Sequence, residues 1–467
     1  MPRHLSHFIA GDFSSTSGDL ISLNPTNPSE VLAQFGPAAK GDVDRAVEAA
    51  KSAQNSWANV PGAAKAEAFY AWAEAIAARK AELTEAIVKE VGKPIGEAGG
   101  EVGRCIAILR YFAGECVREE GSVIPSLAPG TLQYSIRRPL GVVGLITPWN
   151  FPLAIPLWKA APALACGNAV VLKPAEEAAL CGHLLAETAA GLPKGLFNVL
   201  FGEGETGAAI VGHEGIDAVS FTGSAVVGSK VAQACSARNV KFQTEMGGKN
   251  PAIVLKDADL SQAAKLVAAG AMRFAGQKCT ATSRVIVDKS IQNEFLPLLK
   301  AAIDELPILD PSDAKSAIGP VITEESKVRI SEATRDLETI YNSANIPDSG
   351  YFLPCQVIEA TTEKRVAQEE LFGPVLALLV ANDLDHALSI ANDSPFGLSA
   401  SLFTTNLKEA MKYVSKIQAG MVRVNADTTG VDPHAPFGGV KGSSSHSREQ
   451  GPVAKDFFSE IQTVQIS

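Results

Sequence analysis

Positive charge is in short supply: the 467 residues include 41 Lys and Arg against 51 Asp and Glu, a formal net charge of −10. A chain with that balance and no clustered basic run is repelled by phosphate backbones and anionic bilayers, so neither nucleic acid nor membrane is an expected partner. Long apolar runs are missing too, since Pro, Gly, Lys or Asp interrupts each one before it reaches membrane-spanning length. The opening residues, MPRHLSHFIAGDF, hold no apolar core of signal-peptide length, and a cytoplasmic location is expected. Cysteines number only seven (Cys105, Cys116, Cys166, Cys181, Cys235, Cys279, Cys355), with no C-x-x-C pair. That argues against a disulfide framework and a zinc site, and no metal is expected. Internal repeats and low-complexity linkers are absent.

What is present is a globular composition, 46% apolar, on a chain too long for one hydrophobic core. Short apolar runs broken by turn formers over 7–35 predict edge strands and hairpins. Apolar residues at helical spacing predict helices over 43–57, 64–91 and 96–117, with Asp42 as an N-cap. Residues 134–138 alternate like a strand exposed on one face and suited to subunit contact. Apolar or β-branched runs at 142–147, 169–172, 197–201, 218–222 and 240–243 then alternate with helical patterns. This predicts a doubly wound parallel sheet with ligands at the carboxyl ends of its strands. A second alternation follows Glu245, with strands at 252–255, 285–287, 375–380, 398–403 and 421–425 and helices at 260–274 and 291–306. The β-patterned tail, 457–467, is expected to pair with another strand instead of fraying.

Cys279 stands apart from the other cysteines. In FAGQKCTATSR, Gly276 permits a close backbone turn, and Lys278 puts a cation beside the sulfur, which would favour the nucleophilic thiolate. After the run at 169–172, Lys173 can reach a nucleotide ribose or phosphate; Glu176 can accept from ribose hydroxyls or serve only as a first-turn acid. GEGETG at 202–207 has the form of a dinucleotide turn, yet Glu203 and Glu205 would bring negative charge to a pyrophosphate. The loop Thr222-Gly223-Ser224 offers hydroxyls and N–H groups without an acid and suits a phosphate better.

GQKC, together with TPWNFP at 147–152, VLKPAE at 171–176 and EMGGKNP at 245–251, resembles the aldehyde dehydrogenase superfamily over nearly the whole chain. The resemblance implies an α/β fold of two doubly wound domains plus a small β oligomerisation element. The expected division is 1–118 with 139–246 for the dinucleotide, 247–445 for catalysis, and 119–138 with 446–467 for contacts within a homodimer or homotetramer. It implies NAD(P)-dependent oxidation of a small-molecule aldehyde to an acid through a cysteine thioester. Cys279 would attack the carbonyl, Asn150 and the Cys279 N–H would hold the oxyanion, and Glu245 would activate water for hydrolysis, with Lys159 and Glu449 supporting proton relay. The cofactor would meet Thr147, Trp149, Lys173, Glu176, Gly207, Phe221, Gly223 and Ser224, with Glu370 on the nicotinamide ribose and Phe372 beside the nicotinamide. Two positions depart from the family pattern: Met246 replaces a commoner leucine, and Phe274 an asparagine that bears on the substrate tunnel.

Transfer of the acyl group to coenzyme A or phosphate would gain nothing from a hydrolytic base, so Glu245 favours release of a free acid. A binding protein that had lost the activity would be expected to lack one of Cys279, Glu245, Asn150 or Lys173, and all four are present. GQKCTATSR with GVDPHAPFGGVKGSS and REQG most resembles the subgroup acting on α-ketoglutaric semialdehyde (2,5-dioxopentanoate). Other semialdehydes and neutral aldehydes are the alternatives. Trp158 stands where succinic semialdehyde enzymes typically carry arginine, so a distal carboxylate would be met by Lys278 or, less directly, by Arg423 or His434. Glu176 would repel a 2′-phosphate, which points to NAD with NADP possible.

Overall fold

The computed structural model describes residues 1–118 and 120–467; Glu119, where one expected domain boundary falls, lies outside the described residues. Val142–Ile146, Ala169–Lys173, Phe197–Val199, Ala218–Thr222 and Lys241–Glu245 are strands, and most of their side chains are buried. Near-continuous apolar runs of this kind fit a sheet covered on both faces. They lie parallel, in the spatial order Lys241–Glu245, Ala218–Thr222, Val142–Ile146, Ala169–Lys173, Phe197–Val199, and antiparallel Ser6–Ile9 and Asp12–Ser15 extend one edge. The chain starts in the middle, winds outward to Phe197–Val199, then crosses back to Ala218–Thr222. The switch point therefore falls between the loops after Ile146 and after Thr222, where an open α/β sheet forms its crevice.

The second sheet runs Thr339–Asn342, Gln356–Glu359, Val375–Ala381, Thr282–Asp288, Asn250–Val254, Ser399–Phe403, Met421–Val424, parallel except for its first edge strand. Each sheet has its own apolar core. Thr222 and Glu245 finish strands of the first sheet, whereas Asn250 and Thr282 begin strands of the second. Cys279 lies just before Thr282. The segment thus meets the second sheet at the amino ends of its strands, so the carboxyl-end expectation applies to the first sheet alone.

Helix Ala154–Ala165 packs on Val142–Ile146 and Ala169–Lys173, is itself covered by Ile95–Glu115, and is buried along its whole length. It carries Trp158 and Lys159 into the interior. The expected helix over 64–91 is two, Gly62–Ala78 and Lys80–Val91, broken at Arg79, whose guanidinium bonds Glu82 and Glu187 at 2.6–3.0 Å. Asp42 is not the N-cap: helix Lys40–Trp57 starts earlier, and the Asp42 carboxylate reaches back to accept the Ala39 N–H at 2.9 Å. Helix Leu260–Met272 stops short of Phe274 because Phe274 and Ala275 take left-handed backbone, φ 54° and 51°.

The tail Ser459–Ile466 pairs antiparallel with Leu132–Pro139, which also pairs with Gly121–Ile124. This ribbon leaves Val123, Leu132, Ile461 and Ile466 exposed. No helix of the described residues is long and apolar enough to cross a membrane.

Candidate active site

The turn that delivers Cys279 is fixed from several sides. Gly276 sits at φ 67°, and a Cβ there would collide with the carbonyls of Gly373 and Ala271, so both the conformation and the space require glycine. Gln277 is fully buried: its amide donates to the Phe274 and Pro320 carbonyls at 3.3 and 3.1 Å, and its Oε1 accepts the Ile322 N–H at 2.9 Å. Asn250 donates to the carbonyls of Cys279 and Ala281, each at 2.8 Å. The peptide around Cys279 is therefore held by Gln277 of its own turn and by the Asn250 side chain from another segment.

The sulfur is half-buried and packs against a small cluster of Leu398, Met421 and Phe437. Its ionisation departs from the sequence expectation. Burial first, then the charges of Glu370, Glu245 and Glu449, push the Cys279 thiol well above its ordinary range, opposed by the Thr280 N–H. Lys278 does not supply the compensating cation, because its ammonium is paired with Glu97 at 2.8 Å. Adjacency in sequence put the charge beside the residue, and the ion pair fixes it on Glu97.

Glu245 ends its strand inside the protein, only 2% exposed. Its Oε2 accepts from the Ser444 hydroxyl at 2.6 Å, while its buried Oε1 has no partner. Burial and the neighbouring charge of Glu449 raise its carboxyl well above the carboxylate range, against the opposing pull of Ser444, Lys159 and Arg448. Lys159 forms a buried ion pair with Glu449 and donates to the Ser220 hydroxyl at 2.8 Å; that hydroxyl donates to Gln243 at 3.1 Å. Lys159, Glu449 and Glu245 thus form one buried charged group.

Asn150 is also buried, and its amide nitrogen donates one hydrogen to the Gln277 carbonyl at 3.0 Å, leaving the other free. Sequence analysis missed what holds it. Lys93, fully buried, is ion-paired with Glu101, donates to the Asn150 carbonyl at 2.6 Å, and lies 3.8 and 4.7 Å from the ring centres of Phe151 and Phe274. Glu101 in turn accepts the Leu153 and Ala154 N–H groups at 3.0 and 3.1 Å, anchoring the start of helix Ala154–Ala165. Lys93 lies in the loop between helices Lys80–Val91 and Ile95–Glu115 and carried no signal of its own; a charge at the buried Glu101 position of the second helix was the missed clue.

At the crevice of the first sheet, Thr147 is buried with its hydroxyl unpartnered, as is the Thr222 hydroxyl. Lys173 meets Glu176 at 3.0 Å, Glu176 being 40% exposed, and Gly207 lies against the Lys173 stem. A Cβ at Gly223 would come 2.6 Å from the Phe221 ring, and Ser224 caps helix Ala225–Ala237 by accepting the Val227 N–H. In the rival turn, a Cβ at Gly202, φ 144°, would meet Thr206 of the turn itself and Pro37 from a distant segment. Trp149 packs edge-on against Phe372 at 5.6 Å and Phe274 at 6.4 Å. Glu370 accepts the Gly248 N–H at 3.0 Å, and burial pushes its carboxyl up to about 7. Met246 packs beside Gly228 on helix Ala225–Ala237. Of the remaining positions, Trp158 is buried against Phe437 at 5.5 Å, Arg423 has a buried Nε without a partner, and His434 is exposed near Asp432.

Residues 13–464 match the aldehyde dehydrogenase family. The chain belongs to that family. Alpha-ketoglutaric semialdehyde dehydrogenase of Bacillus subtilis (strain 168) is 44% identical over 475 residues, spanning 98% of this chain and 97% of that protein. Alpha-ketoglutarate semialdehyde dehydrogenase of Haloferax volcanii is 39% identical over 477 residues, 98% of each chain. The NAD+ complex of an aldehyde dehydrogenase from Bacillus cereus superposes with a TM-score of 0.95 at 32% identity, covering 100% of this chain and 97% of that one. The protein has the aldehyde dehydrogenase fold and is an NAD(P)-dependent oxidoreductase acting on aldehydes.

Proposed function

We propose that the protein oxidises a semialdehyde, 2,5-dioxopentanoate, to the corresponding dicarboxylate with NAD, through a thioester on Cys279. The observation that carries the chemical part is Glu245: a buried carboxyl with one oxygen unpaired and a raised pKa, whose charge reaches the Cys279 thiol. An acid in that state is a general base for water, the group a hydrolytic deacylation needs and an acyl transfer does not. Cys279 gives up its thiol proton to water as its sulfur bonds the aldehyde carbon, and the oxyanion is met by the free Asn150 N–H and the Cys279 backbone N–H. Hydride acceptance is the chemistry that NAD would supply when held at this crevice. Glu245 then takes a proton from water, which attacks the thioester, and returns it to the departing Cys279 sulfur, with the Lys159–Glu449 pair buried beside it.

The residues at the crevice fit a dinucleotide, because the Thr147 and Thr222 hydroxyls are buried without partners. Lys173 and Glu176 would hold the adenosine ribose, Gly207, Phe221, Gly223 and Ser224 the phosphates, and Trp149, Glu370 and Phe372 the nicotinamide side. Glu176 at the ribose favours NAD over NADP by like-charge repulsion of a 2′-phosphate. The chain divides at 118/119, 138/139, 246/247 and 445/446, and the exposed apolar ribbon of Gly121–Ile124, Leu132–Pro139 and Ser459–Ile466 is the subunit contact.

The substrate rests on the names of the two relatives together with the loop residues of 430–451. Initial rates across ω-oxo acids and neutral aldehydes of matched length, with each cofactor, test it. The highest kcat/KM should fall on 2,5-dioxopentanoate with NAD; a clear preference for neutral aldehydes overturns the substrate assignment.

A further inference from the structure

Lys278 is committed to Glu97, so it does not meet a substrate carboxylate, yet a closed pocket cannot leave that charge unpaired. Another group of side chains has surplus donors. Arg104, on helix Ile95–Glu115, has a buried Nε with no partner; its Nη2 donates to Oε1 of Gln450 at 2.8 Å. Gln450 is fully buried, and with its oxygen committed to Arg104 its Nε2 is left without an acceptor. Trp158, whose ring centre lies 5.8 Å from the Arg104 guanidinium carbon, has its indole Nε1 buried and unpartnered as well. Arg104 thus links the three residues, through its bond to Gln450 and its contact with the Trp158 ring, and each of the three has a buried donor without an acceptor.

The charges around Arg104 leave it available. The acids acting on it are Asp432, which is exposed, and Glu101, which Lys93 already neutralises. Among the described residues Arg104 makes no ion pair. Burial lowers its pKa, but a guanidinium does not lose its proton in a protein. The group is also connected to the reacting sulfur: Trp158 stacks on Phe437, and Phe437 belongs to the cluster against which Cys279 packs.

We propose that Arg104, Gln450 and the Trp158 N–H form the receptor for the distal carboxylate of an ω-oxo acid whose aldehyde is presented to Cys279. The guanidinium supplies charge and a planar fork, the Gln450 amide a second donor, and the indole N–H a third. Because Gln450 adjoins Glu449, the same contact places the carboxylate end next to the proton-relay pair. The inference rests on the semialdehyde reading above.

The test compares 5-oxopentanoate with pentanal, which differ only by the carboxylate, in wild type, Arg104→Met, Arg104→Lys and Arg423→Met, with NAD. Arg104→Met is expected to lose at least tenfold more kcat/KM for 5-oxopentanoate than for pentanal, a differential of about 1.4 kcal/mol, chiefly through KM. Arg104→Lys should lose less, since it keeps the charge and gives up the fork. Should Arg104→Met fail to accumulate as folded protein, the Lys variant supplies the same differential readout. Equal losses for both aldehydes, or a differential loss in Arg423→Met and none at Arg104, overturns the receptor. A wild type that prefers pentanal to 5-oxopentanoate instead removes the semialdehyde reading and the receptor with it, so the two failures are told apart.

Discussion

Lys93→Met removes one ammonium and keeps most of the stem that lies on Phe151 and Phe274. Four contacts disappear: the ion pair with Glu101, the bond to the Asn150 carbonyl at 2.6 Å and the two cation–ring contacts at 3.8 and 4.7 Å. Removing one partner of a buried pair costs about 3–5 kcal/mol because the other charge is left uncompensated. Glu101 retains two backbone N–H donors, Leu153 and Ala154, which places the expected loss near the lower end, about 3 kcal/mol. Neutralising the stranded acid as well, in Lys93→Met/Glu101→Gln, should recover roughly 1 kcal/mol or more of that loss. Urea unfolding followed by intrinsic fluorescence measures both, or the rate of thermal inactivation where unfolding is irreversible. Activity should fall further than stability requires, because the Asn150 turn loses the ammonium on its carbonyl; a tenfold or greater drop in kcat/KM at a temperature where the variant is folded is expected. A Lys93→Met protein within about 1 kcal/mol of wild type, or a double variant no better than the single, would refute the claim that this pair sets the turn.

Cys279→Ala should abolish aldehyde oxidation while leaving NAD affinity, measured by titration calorimetry, within about threefold of wild type; residual turnover near wild type would remove the nucleophile assignment. Glu176→Ser should raise the NADP-to-NAD ratio of kcat/KM by about fivefold, the worth of roughly 1 kcal/mol at a part-exposed charge, and an unchanged ratio would leave Glu176 as a helix-start acid that pairs with Lys173. Because Glu245 works deprotonated and its pKa is raised by burial and Glu449, the deacylation-limited rate should fall as pH drops through a pKa above the ordinary carboxylate range. Pre-steady-state rates from pH 5 to 9 measure that limb, and a rate flat across the range contradicts a raised, functional carboxyl.

The strands of the first sheet and their doubly wound, parallel character were legible because the runs are largely apolar and their turns carry glycine and hydroxyl residues, whereas their spatial order was not read. Cys279, Glu245 and Asn150 were legible as motifs, since each sits in a short local pattern that a reader can match. Their environment was not, because it is made by distant segments. The ion pair that removes Lys278 from the sulfur lies on Glu97, in helix Ile95–Glu115, and the pair that holds Asn150 joins Lys93 to Glu101. A cation one residue from a cysteine says nothing of where a long, flexible side chain will point. Arg104 escaped notice for the same reason: in sequence it is one charge on an amphipathic helix, and only the fold brings it to Gln450, 346 positions away.

Glu245→Gln puts the central claim to the most direct measurement. Mixed rapidly with NAD and 2,5-dioxopentanoate, the variant should release about one equivalent of NADH per site in a burst and then turn over at least a hundredfold more slowly than wild type. Intact-mass analysis of the quenched protein should show one acyl group, mapped to Cys279. A variant that turns over at the wild-type rate without accumulating that acyl-enzyme would contradict hydrolysis by Glu245.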